Sequence, residues 1–504
     1  MLREKKEVQQ EGYEIVQLEE LVPRDHLLRK IAAAVDFSFI HDMCKDLYCP
    51  DNGRPAVEPE VLFKMLFIGY LYGIKSETRL AEEVNCNVAY KWFLGLKLTE
   101  KGPNHATISI NRIRRFQGND IAQKIFGEIL RQAVKAGLVG GNILYTDSTH
   151  IKAKANKHKK KLVYVDQTPQ SYLAELDEQI ARDRTVLGKK PFDDDSDDDD
   201  GQSDPPQKAT RMESTTDPDS GQLSKEGKPD GFHYSEHRTV DSKNNIIVNT
   251  HVTAANIHDV VPLPEILEEI RQRLGALPKY MGLDAGYHNA AVAHLLTKAR
   301  IQGVIGYRRH TFKTDYFGKF RFRYDFDYDV YICPEHKPLY WRTTNRQGYR
   351  EYYSDAKTCR DCPRRQECFS SKATRRQVAR HVWQDDLDQV TGFTASPNGR
   401  RLYNWRKETI EPSFAESKEN HGLRNARMVG LANMRDQCFL TCAVQNMKKM
   451  AKALFCCFFL SLPSSLRPPI CKKPTLVKCR FFDGLSGGGR PRRFIVYIIM
   501  DIGY

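Results

Sequence analysis

Three acidic residues stand in local sequences that suit metal-assisted chemistry on a phosphodiester. Asp147 lies in ILYTDSTHIKA, Asp284 in YMGLDAGYHN and Glu411 in TIEPSFAESKENHG. The first two follow short β-rich runs, and the third lies in a helical pattern far downstream. Three carboxylates gathered from distant segments form a hard-oxygen site of the kind that Mg²⁺ or Mn²⁺ prefers. Two such ions can hold the attacking and leaving oxygens of a phosphodiester, so the pattern predicts metal-dependent chemistry on nucleic acid.

Asp147 and Asp284 share a local design in which an acid follows an apolar run. Asp147 lies at the exit of one predicted strand, and Asp284 lies at the end of another. The carboxyl ends of strands are where α/β sheets place their functional groups. Gly282 and Gly286 flank Asp284 and would let backbone and substrate come close. The alternative at both positions is an aspartate that caps a turn through its side chain.

Glu411 precedes Pro412 near the start of an apparent helix. Lys418 lies seven residues on, which is two turns along and on the same face. Such a helix could offer a carboxylate to a metal ion and a cation to a phosphate from one side. The alternative is an exposed helix charge, so the case for Glu411 rests on its combination with the two aspartates.

A cysteine pattern indicates a second metal site of a different kind. Cys333, Cys359, Cys362 and Cys368 follow the spacing C-x25-C-x2-C-x5-C. A C-x2-C pair with two further thiols matches tetrahedral Zn²⁺ coordination. Free cysteines in a loop-rich segment are the alternative.

Composition and charge narrow the class of protein. A chain of 504 residues is expected to form two or three domains, and its net charge of +14 favours polyanions, of which nucleic acid is the commonest large one. The N-terminal run MLREKKEVQQEGYEIV has no apolar core of a signal peptide, so the thirteen cysteines are expected in a reducing cytoplasm without disulfides. The apolar run Ala453–Leu462 is well short of the ~20 residues that a membrane span needs, and no membrane partner is expected.

Changes in composition divide the chain into regions. The central region follows a mixed α/β order of strand, hairpin, helix, strand, helix and strand, with strands expected over Asn142–Lys152 and Lys279–Leu283. The polar stretch within it contains the acidic run DDDSDDDD and is expected to be flexible. The predicted regions are a helical N-terminal domain at 1–125, an α/β core at 140–309 with the flexible insertion at about 157–229, a Cys-, aromatic- and Arg-rich insertion at 310–395, a helical C-terminal part of the core at 396–450, and a basic tail at 451–504.

The helical N-terminal region contains a candidate DNA-binding unit. The segment from Ser76 to Trp92 predicts a helix, a short turn at Asn85–Asn87 and a second helix. Helix-turn-helix units of this spacing can place the second helix in a major groove, although a hairpin within a helical bundle has the same pattern. Nearby, a basic face could hold phosphates or be simply solvated, and its residues are Arg112, Arg114 and Arg115.

Taken together, these residues resemble the bacterial insertion-sequence transposases of the DDE class. The resemblance extends over about residues 10–450, and the ordered series of blocks is far more specific than any one motif. The matching blocks are PRDHLLRKIAAAVDFSFI with the helical run GRPAVEPEVLFKMLFIGYLYGIKSETRLAEEVNCNVAYKWFLGL, then YTDSTHIKAKANK, HRTVDSKNNIIVNTHVTAANIHD, GLDAGYHN and IEPSFAESKENHGLRNARMVG.

The resemblance implies an α/β protein whose RNase H-like catalytic core carries a helical N-terminal domain and a Cys-rich inserted subdomain. It implies that Asp147, Asp284 and Glu411 are the catalytic residues and bind two Mg²⁺ or Mn²⁺ ions. It also implies double-stranded DNA as the partner, both as transposon terminal repeats and as target, with a homodimer in the synaptic complex. The expected location is the bacterial cytoplasm, associated with the nucleoid when the protein is bound to DNA.

A C-terminal signature of Tyr, Arg, Glu and Lys belongs to this resemblance. Glu411 and Lys418 keep the expected six-residue gap, but Tyr403 and Arg406 lie one residue too far upstream of Glu411, unless Lys407 takes the place of the arginine. These residues are the candidates for contacts with the DNA backbone.

The implied function is divalent-metal-dependent strand cleavage at transposon ends, followed by strand transfer into target DNA. One alternative is a nuclease on the same fold that cuts without joining. Another is a DNA-binding protein without catalysis, such as a degraded transposase copy. The intact carboxylate trio is the feature that disfavours the second alternative.

Overall fold

Regular elements form wherever the sequence combines apolar periodicity with capping residues. The computed structural model describes residues 15–49, 56–165, 173–190, 192, 209–224, 230–307, 316–461, 475–478 and 497–500. The acidic run at 193–200 and most of the expected basic tail lie outside the described residues.

Helices occupy the N-terminal region, as the sequence predicted. Asn87 ends one helix and begins the next, because its side chain accepts from the Ala89 and Tyr90 amides at 2.9 and 3.2 Å. This confirms the predicted helix, short turn and helix. The helices are α1 (Leu18–Leu21), α2 (Leu27–Ala34), α3 (Phe39–Cys44), α4 (Pro59–Leu71), α5 (Glu77–Cys86), α6 (Val88–Leu94), α7 (His105–Asn111), which continues as a π-helix (Arg112–Phe116), and α8 (Ile121–Lys135).

The helical region shares its apolar core with the rest of the protein. The ring centroids of Phe126 in α8 and Phe439 far downstream lie 5.7 Å apart, and one cluster of buried apolar residues runs from the first helices to the central sheet. The domain boundary expected at residue 125 falls inside α8, because that helix continues to Lys135 to bury its apolar face against this common core.

A mixed sheet forms the centre of the molecule. Its strands and the helices between them are β1 (Ile143–Lys152), β2 (Lys160–Val165), α9 (Leu173–Val186), β3 (Ala209–Ser214), β4 (Gly221–Leu223), β5 (Gly231–Asp241), β6 (Ile247–Ala254), α10 (Leu263–Leu274), β7 (Tyr280–Leu283), α11 (Ala290–Lys298) and β8 (Gln302–Ile305). The strand order β6-β5-β1-β7-β8 has β5 antiparallel to both β1 and β6, whereas β1, β7 and β8 are parallel. The predicted order of strand, hairpin, helix, strand, helix and strand is confirmed.

The expectation of a flexible insertion at about 157–229 is wrong for the two ends of that segment, which form strands. β2 and β3 pair antiparallel, with Leu162 opposite Met212, and β4 joins them to the N-terminal end of β5. The cause is pairing between strands that are far apart in the sequence, which satisfies their backbone N–H and C=O groups. The polar local sequence gives no sign of this pairing. A regular helix, α9, also lies within this segment.

A second, five-stranded antiparallel sheet lies between β8 and the C-terminal helices. Aromatic side chains form its small core, in which Phe322, Tyr331 and Tyr352 are buried. The elements are β9 (Arg323–Asp325), β10 (Val330–Ile332), β11 (Pro338–Thr344), β12 (Tyr349–Ser354), α12 (Ala356–Arg360), α13 (Arg365–Cys368) and β13 (Gln377–His381).

Long helices complete the fold: α14 (Gln384–Ala395), α15 (Pro397–Asn420) and α16 (Leu431–Ser461), and two short strands follow, β14 (Thr475–Lys478) and β15 (Tyr497–Met500). Ser396 caps α15 by accepting from the Gly399 amide at 3.1 Å. Glu411 therefore lies in the interior of a helix and not near its start, as its position before Pro412 had suggested. Pro412 has no N–H to give to the Glu408 carbonyl, and the Asn245 side chain donates to that oxygen at 3.4 Å instead. No helix in the described part of the chain is both long and apolar enough to span a bilayer.

Candidate active site

Asp147 and Asp284 lie on neighbouring parallel strands of the central sheet. Thr146 pairs with Leu283 in the register of these strands. The next residue on each segment, Asp147 and Asp284, therefore lies at the same level of the sheet. Parallel strands are about 4.8 Å apart, which places the two aspartates side by side. Asp147 is not at the exit of its strand, because β1 continues for five more residues beyond Asp147, to Lys152.

The Asp147 carboxylate is held by two donors in a largely buried place. The Ser148 amide donates to one oxygen at 2.8 Å, and Nη1 of Arg406 donates to the other at 2.6 Å. Burial raises the pKa of Asp147, and the nearby charge of Asp284 raises it further, while Arg406 opposes both. Asp284 itself accepts from the Ala285 amide and begins a short 3₁₀ turn.

Glu411 is linked to Asp147 through Arg406. The second amino group of Arg406 lies 3.4 Å from a Glu411 oxygen, so one guanidinium bridges Glu411 and Asp147. Half of the Glu411 side chain is exposed, so it stands at the open edge of the site.

The bridge also shows which cation faces the acids. Arg406 is buried beside them, whereas Lys407 is exposed. Tyr403 lies on the same helix face, with its ring centroid 5.8 Å from the Arg406 guanidinium carbon. Burial raises the pKa of Tyr403, and the charges of Asp284 and Asp147 add to the effect. The irregular spacing therefore still brings Arg406 and Tyr403 to the acids.

Lys418 reaches the same strand as Asp147. Its amino group donates to the Thr149 hydroxyl at 2.5 Å. Thr149 lies two residues after Asp147, and alternate residues of a strand share one face. Glu411 and Lys418 thus lie along the same side of α15, as the seven-residue spacing indicated.

Two contacts fix α15 above the strands. Tyr145 donates its hydroxyl to the Leu402 carbonyl at 2.9 Å, and its ring lies against Gly282, where an added Cβ would come within 2.3 Å of a ring carbon. Gly282 thus makes room for Tyr145, whereas the sequence had suggested room for substrate. Farther along, the buried Arg238 donates to the Ser413 carbonyl at 3.0 Å and to the Ser417 hydroxyl at 2.8 Å.

Sequence reasoning did not single out two residues that matter here. Tyr287 follows Asp284 by three residues, and burial raises the pKa of its hydroxyl, with contributions from the charges of Asp259, Asp147 and Asp284. The GLDAGYHN motif contained this residue, but nothing in its spacing showed that it would turn back toward the acids. Arg238 gave no local signal of its role, because the partners that it holds on α15 are more than 170 residues away.

The carboxylate oxygens of the three acids are the type of ligand that a hard divalent cation prefers. Among the described residues, no group of three or more Asp, Glu, His or Cys side chains is gathered at metal-binding spacing. Nevertheless, the carboxylates of Asp147, Asp284 and Glu411 lie near a single guanidinium, that of Arg406, which can balance only one of their charges. A divalent ion would relieve the repulsion among them through oxygen ligands.

The N-terminal arginines are placed differently from one another. Arg112 forms an ion pair with Glu77, and Arg115 donates to Asn111 at 2.6 Å and stacks 4.5 Å from the Tyr48 ring centroid. Arg114 is exposed. Of these three predicted phosphate contacts, Arg112 and Arg115 already have partners within the protein.

All four cysteines of the predicted zinc pattern line one cavity of about 370 Å³ beside the second sheet. The Lys337 amide donates to the Cys333 sulfur at 3.3 Å, and the Cys359 thiol contacts the Ser354 hydroxyl at 3.1 Å. Within the described chain, no three of these thiols stand at a spacing that would share a metal ion. The structure thus brings the four residues to one place without forming a ligand set.

Comparison with known proteins finds two matching family models. Residues 332–451, which include Arg406, Glu411 and Lys418, match a family model described as a transposase DDE domain, and residues 16–114 match one described as a transposase domain (DUF772). A solved structure of the piggyBac transposase synaptic complex with hairpin DNA is similar at 11% identity and a TM-score of 0.33, over 87% of this chain and 82% of that one. No curated protein matches the chain. The chain thus contains two transposase domains, in the order that the sequence predicted, and both support an insertion-sequence DDE transposase.

Proposed function

We propose that this transposase cuts and joins DNA at a site formed by Asp147, Asp284 and Glu411. The observation that supports this most directly is that the two aspartates lie side by side on parallel strands while Arg406 ties Glu411 to Asp147. Acids from three distant segments thus surround one guanidinium, at the level of the sheet where β7 ends.

The strand arrangement supports an RNase H-like core. Three antiparallel strands, β6, β5 and β1, are followed across the sheet by two strands parallel to β1. On this proposal, the second sheet is an insertion between β8 and α15. The core then places its first acid on β1, its second after β7 and its third on the helix that follows the insertion.

The three carboxylates would bind two Mg²⁺ or Mn²⁺ ions, which supply Lewis-acid stabilisation of the attacking and leaving oxygens when bound. A water oxygen attacks the phosphorus at the transposon end, and the departing oxygen becomes a free 3′-OH. That 3′-OH attacks a target phosphodiester and displaces another 3′ oxygen. Lys418, Arg406 and Tyr403 would hold the DNA backbone on the α15 side. No covalent enzyme intermediate forms.

The partner in this proposal is double-stranded DNA, as terminal repeat and as target. The α5–α6 pair would read the repeat, and the exposed Arg114 would contact its backbone, with Arg112 and Arg115 behind it. Two ends must be joined, so two copies of the chain are expected in the synaptic complex. The proposed setting is the bacterial cytoplasm, where the nucleoid supplies both DNA partners.

A labelled duplex that spans the transposon end, mixed with an unlabelled target duplex, tests the reaction. With Mg²⁺ we expect cleavage at the boundary and a longer labelled product in which end and target are joined. Omitting the target should leave cleavage without joined product, and a chelator should abolish both. Cleavage that never yields joined DNA would instead indicate a nuclease, and binding with no Mg²⁺-dependent cleavage would indicate a DNA-binding protein without catalysis.

We further propose that Cys333, Cys359, Cys362 and Cys368 bind a structural Zn²⁺ ion. Four thiols around one cavity match the tetrahedral preference of zinc, although the proposal requires them to move closer together. Metal analysis of the protein expressed with added zinc should find about one ion per chain.

Cys362→Ser should lose that zinc, and its thermal unfolding should become insensitive to a chelator. The matched control is Cys86→Ser, because Cys86 is an exposed thiol outside the cavity and should leave the zinc content unchanged. Wild-type protein without bound zinc under these conditions would show that the cysteines are not a zinc site.

A further inference from the structure

A second cavity lies where the helical N-terminal region meets the core. Its volume is about 320 Å³, and its walls come from both ends of the chain. The helical side contributes Tyr70 and Lys75, and the core contributes Lys154, Arg427 and Asp436. Both matched transposase domains thus contribute to one concave surface.

Arg427 is the unusual residue of this cavity. Its guanidinium carbon lies 4.0 Å from the centroid of the Tyr70 ring. Its Nε and Nη2 atoms are buried, and neither has an acceptor among the described residues. Burying a cation without an acceptor is costly, so these donors point to a ligand that supplies the missing oxygens.

Further cations approach the same point. A Cβ built on Gly422 would lie 3.1 Å from Cε of Lys75 and 3.9 Å from Nη2 of Arg427, so both groups flank that position. The Lys154 amino group lies 3.5 Å from the Arg427 carbonyl. Three cations from three segments therefore converge at the junction.

Acids in the cavity do not cancel this charge. Glu77 is ion-paired with Arg112 on the helical side. Burial raises the pKa of Asp436 to about 6, so this acid is still mostly ionised at neutral pH but balances only one of the three cations. The net charge of the cavity is therefore positive, which favours the binding of an anion.

The cavity is also connected to the candidate active site by β1. From Asp147 the strand runs to Lys152, whose amide donates to the Arg424 carbonyl at 3.1 Å, while the Ala426 amide donates back to Lys152 at 2.8 Å. The five residues of β1 from Asp147 to Lys152 cover about 17 Å. Each strand of a DNA duplex advances about 3.4 Å per phosphate along the helix axis, so a distance of about 17 Å corresponds to about five phosphates.

We propose that Lys75, Lys154 and Arg427 bind a backbone phosphate of the transposon-end DNA about five nucleotides from the bond that is cut. The proposal rests on the proposed function, because it takes the acids as the place of cutting. It adds a phosphate-binding cleft that only the junction of the helical region with the core can form.

The test is the salt dependence of binding, measured by fluorescence anisotropy with a labelled transposon-end duplex and Ca²⁺ in place of Mg²⁺. Each lost phosphate contact should make the plot of log affinity against log salt shallower by about one unit. We expect that loss for Arg427→Ala and for Lys75→Ala, with affinity about tenfold lower near physiological salt. Arg427→Lys should recover most of the slope.

Arg424→Ala is the matched control, because Arg424 lies three residues away, is exposed and is paired with Glu419. It should keep the wild-type slope. Lys75 is exposed, so its variant should fold even if Arg427→Ala does not.

Wild-type slopes in both Lys75→Ala and Arg427→Ala, or a wild-type protein that does not bind the duplex, would overturn the proposal. If the slopes change as expected but Mg²⁺ gives no cleavage, the proposed chemistry fails while the phosphate cleft stands.

Discussion

Replacing Asp147 with asparagine is expected to slow strand cleavage about a thousandfold, which corresponds to about 4 kcal/mol of transition-state stabilisation. Asparagine keeps the shape of the side chain, and its one carbonyl oxygen can still accept from either Ser148 or Arg406. It removes the negative charge that would hold a divalent ion. Asp284→Asn and Glu411→Gln should show losses of the same order, measured as single-turnover rates on a labelled transposon-end duplex.

Glu408→Gln is the control for this series, because Glu408 is an exposed acid three residues from Glu411 on the same helix. It should cleave at the wild-type rate. All variants should bind the duplex as tightly as wild type does, because none of these substitutions removes a positive charge that attracts the DNA phosphates. Cleavage by Asp147→Asn within tenfold of wild type would contradict the assignment.

The stability of the same variant has a defined pH dependence. Burial raises the pKa of Asp147 above its value in the unfolded chain. Its contribution to stability is therefore fully present below the unfolded pKa and is lost as pH rises through the folded pKa. Because asparagine does not ionise, Asp147→Asn should be at least as stable as wild type at pH 7 without metal. Loss of cleavage then cannot be attributed to unfolding.

Arg238→Ala is expected to lower the free energy of unfolding by about 4 kcal/mol. The Arg238 side chain is fully buried and donates to Glu236 at 2.6 and 2.9 Å. It also donates to the Ser413 carbonyl, the Ser417 hydroxyl and the Gln445 side chain at 2.8 to 3.0 Å. Removing it leaves the buried Glu236 charge unpaired and breaks one set of contacts that hold α15 and α16 against the sheet. Urea denaturation monitored by circular dichroism measures the loss.

The control for Arg238 is Arg211→Ala on the same sheet, where the arginine is exposed and 3.4 Å from Glu213. This substitution should change stability by less than about 0.5 kcal/mol. A loss below about 1 kcal/mol for Arg238→Ala would show that Arg238 does not hold α15 in place.

Local sequence patterns were enough to predict the helices, hairpins and strand ends that depend on neighbouring residues. The α5–α6 pair follows from the capping preference of Asn87, and the β5–β6 hairpin follows from the turn at Lys243–Asn245. The side-by-side aspartates follow from acids placed after two apolar runs, because the functional ends of parallel strands meet at one edge. These features depend on local chemistry and could be predicted.

The contacts that complete the site depend on distant partners and could not be predicted. Five residues along an ideal helix rotate a side chain by about 140°, so helical phase does not place Arg406 beside Glu411. The length of the arginine closes that distance. Similarly, Glu236, His237 and Arg238 are charged or polar residues that sequence rules place at the surface, yet all three are fully buried in β5. Their burial depends on α15 and α16, which come much later in the chain.

The central claim is that Asp147, Asp284 and Glu411 form one divalent-metal site. Electron paramagnetic resonance of Mn²⁺, titrated into the protein bound to transposon-end DNA, measures that site directly. We expect saturable Mn²⁺ binding by wild type and by Glu408→Gln, and loss of that binding in Asp147→Asn, Asp284→Asn and Glu411→Gln. Wild-type Mn²⁺ binding in all three acid variants would contradict the account.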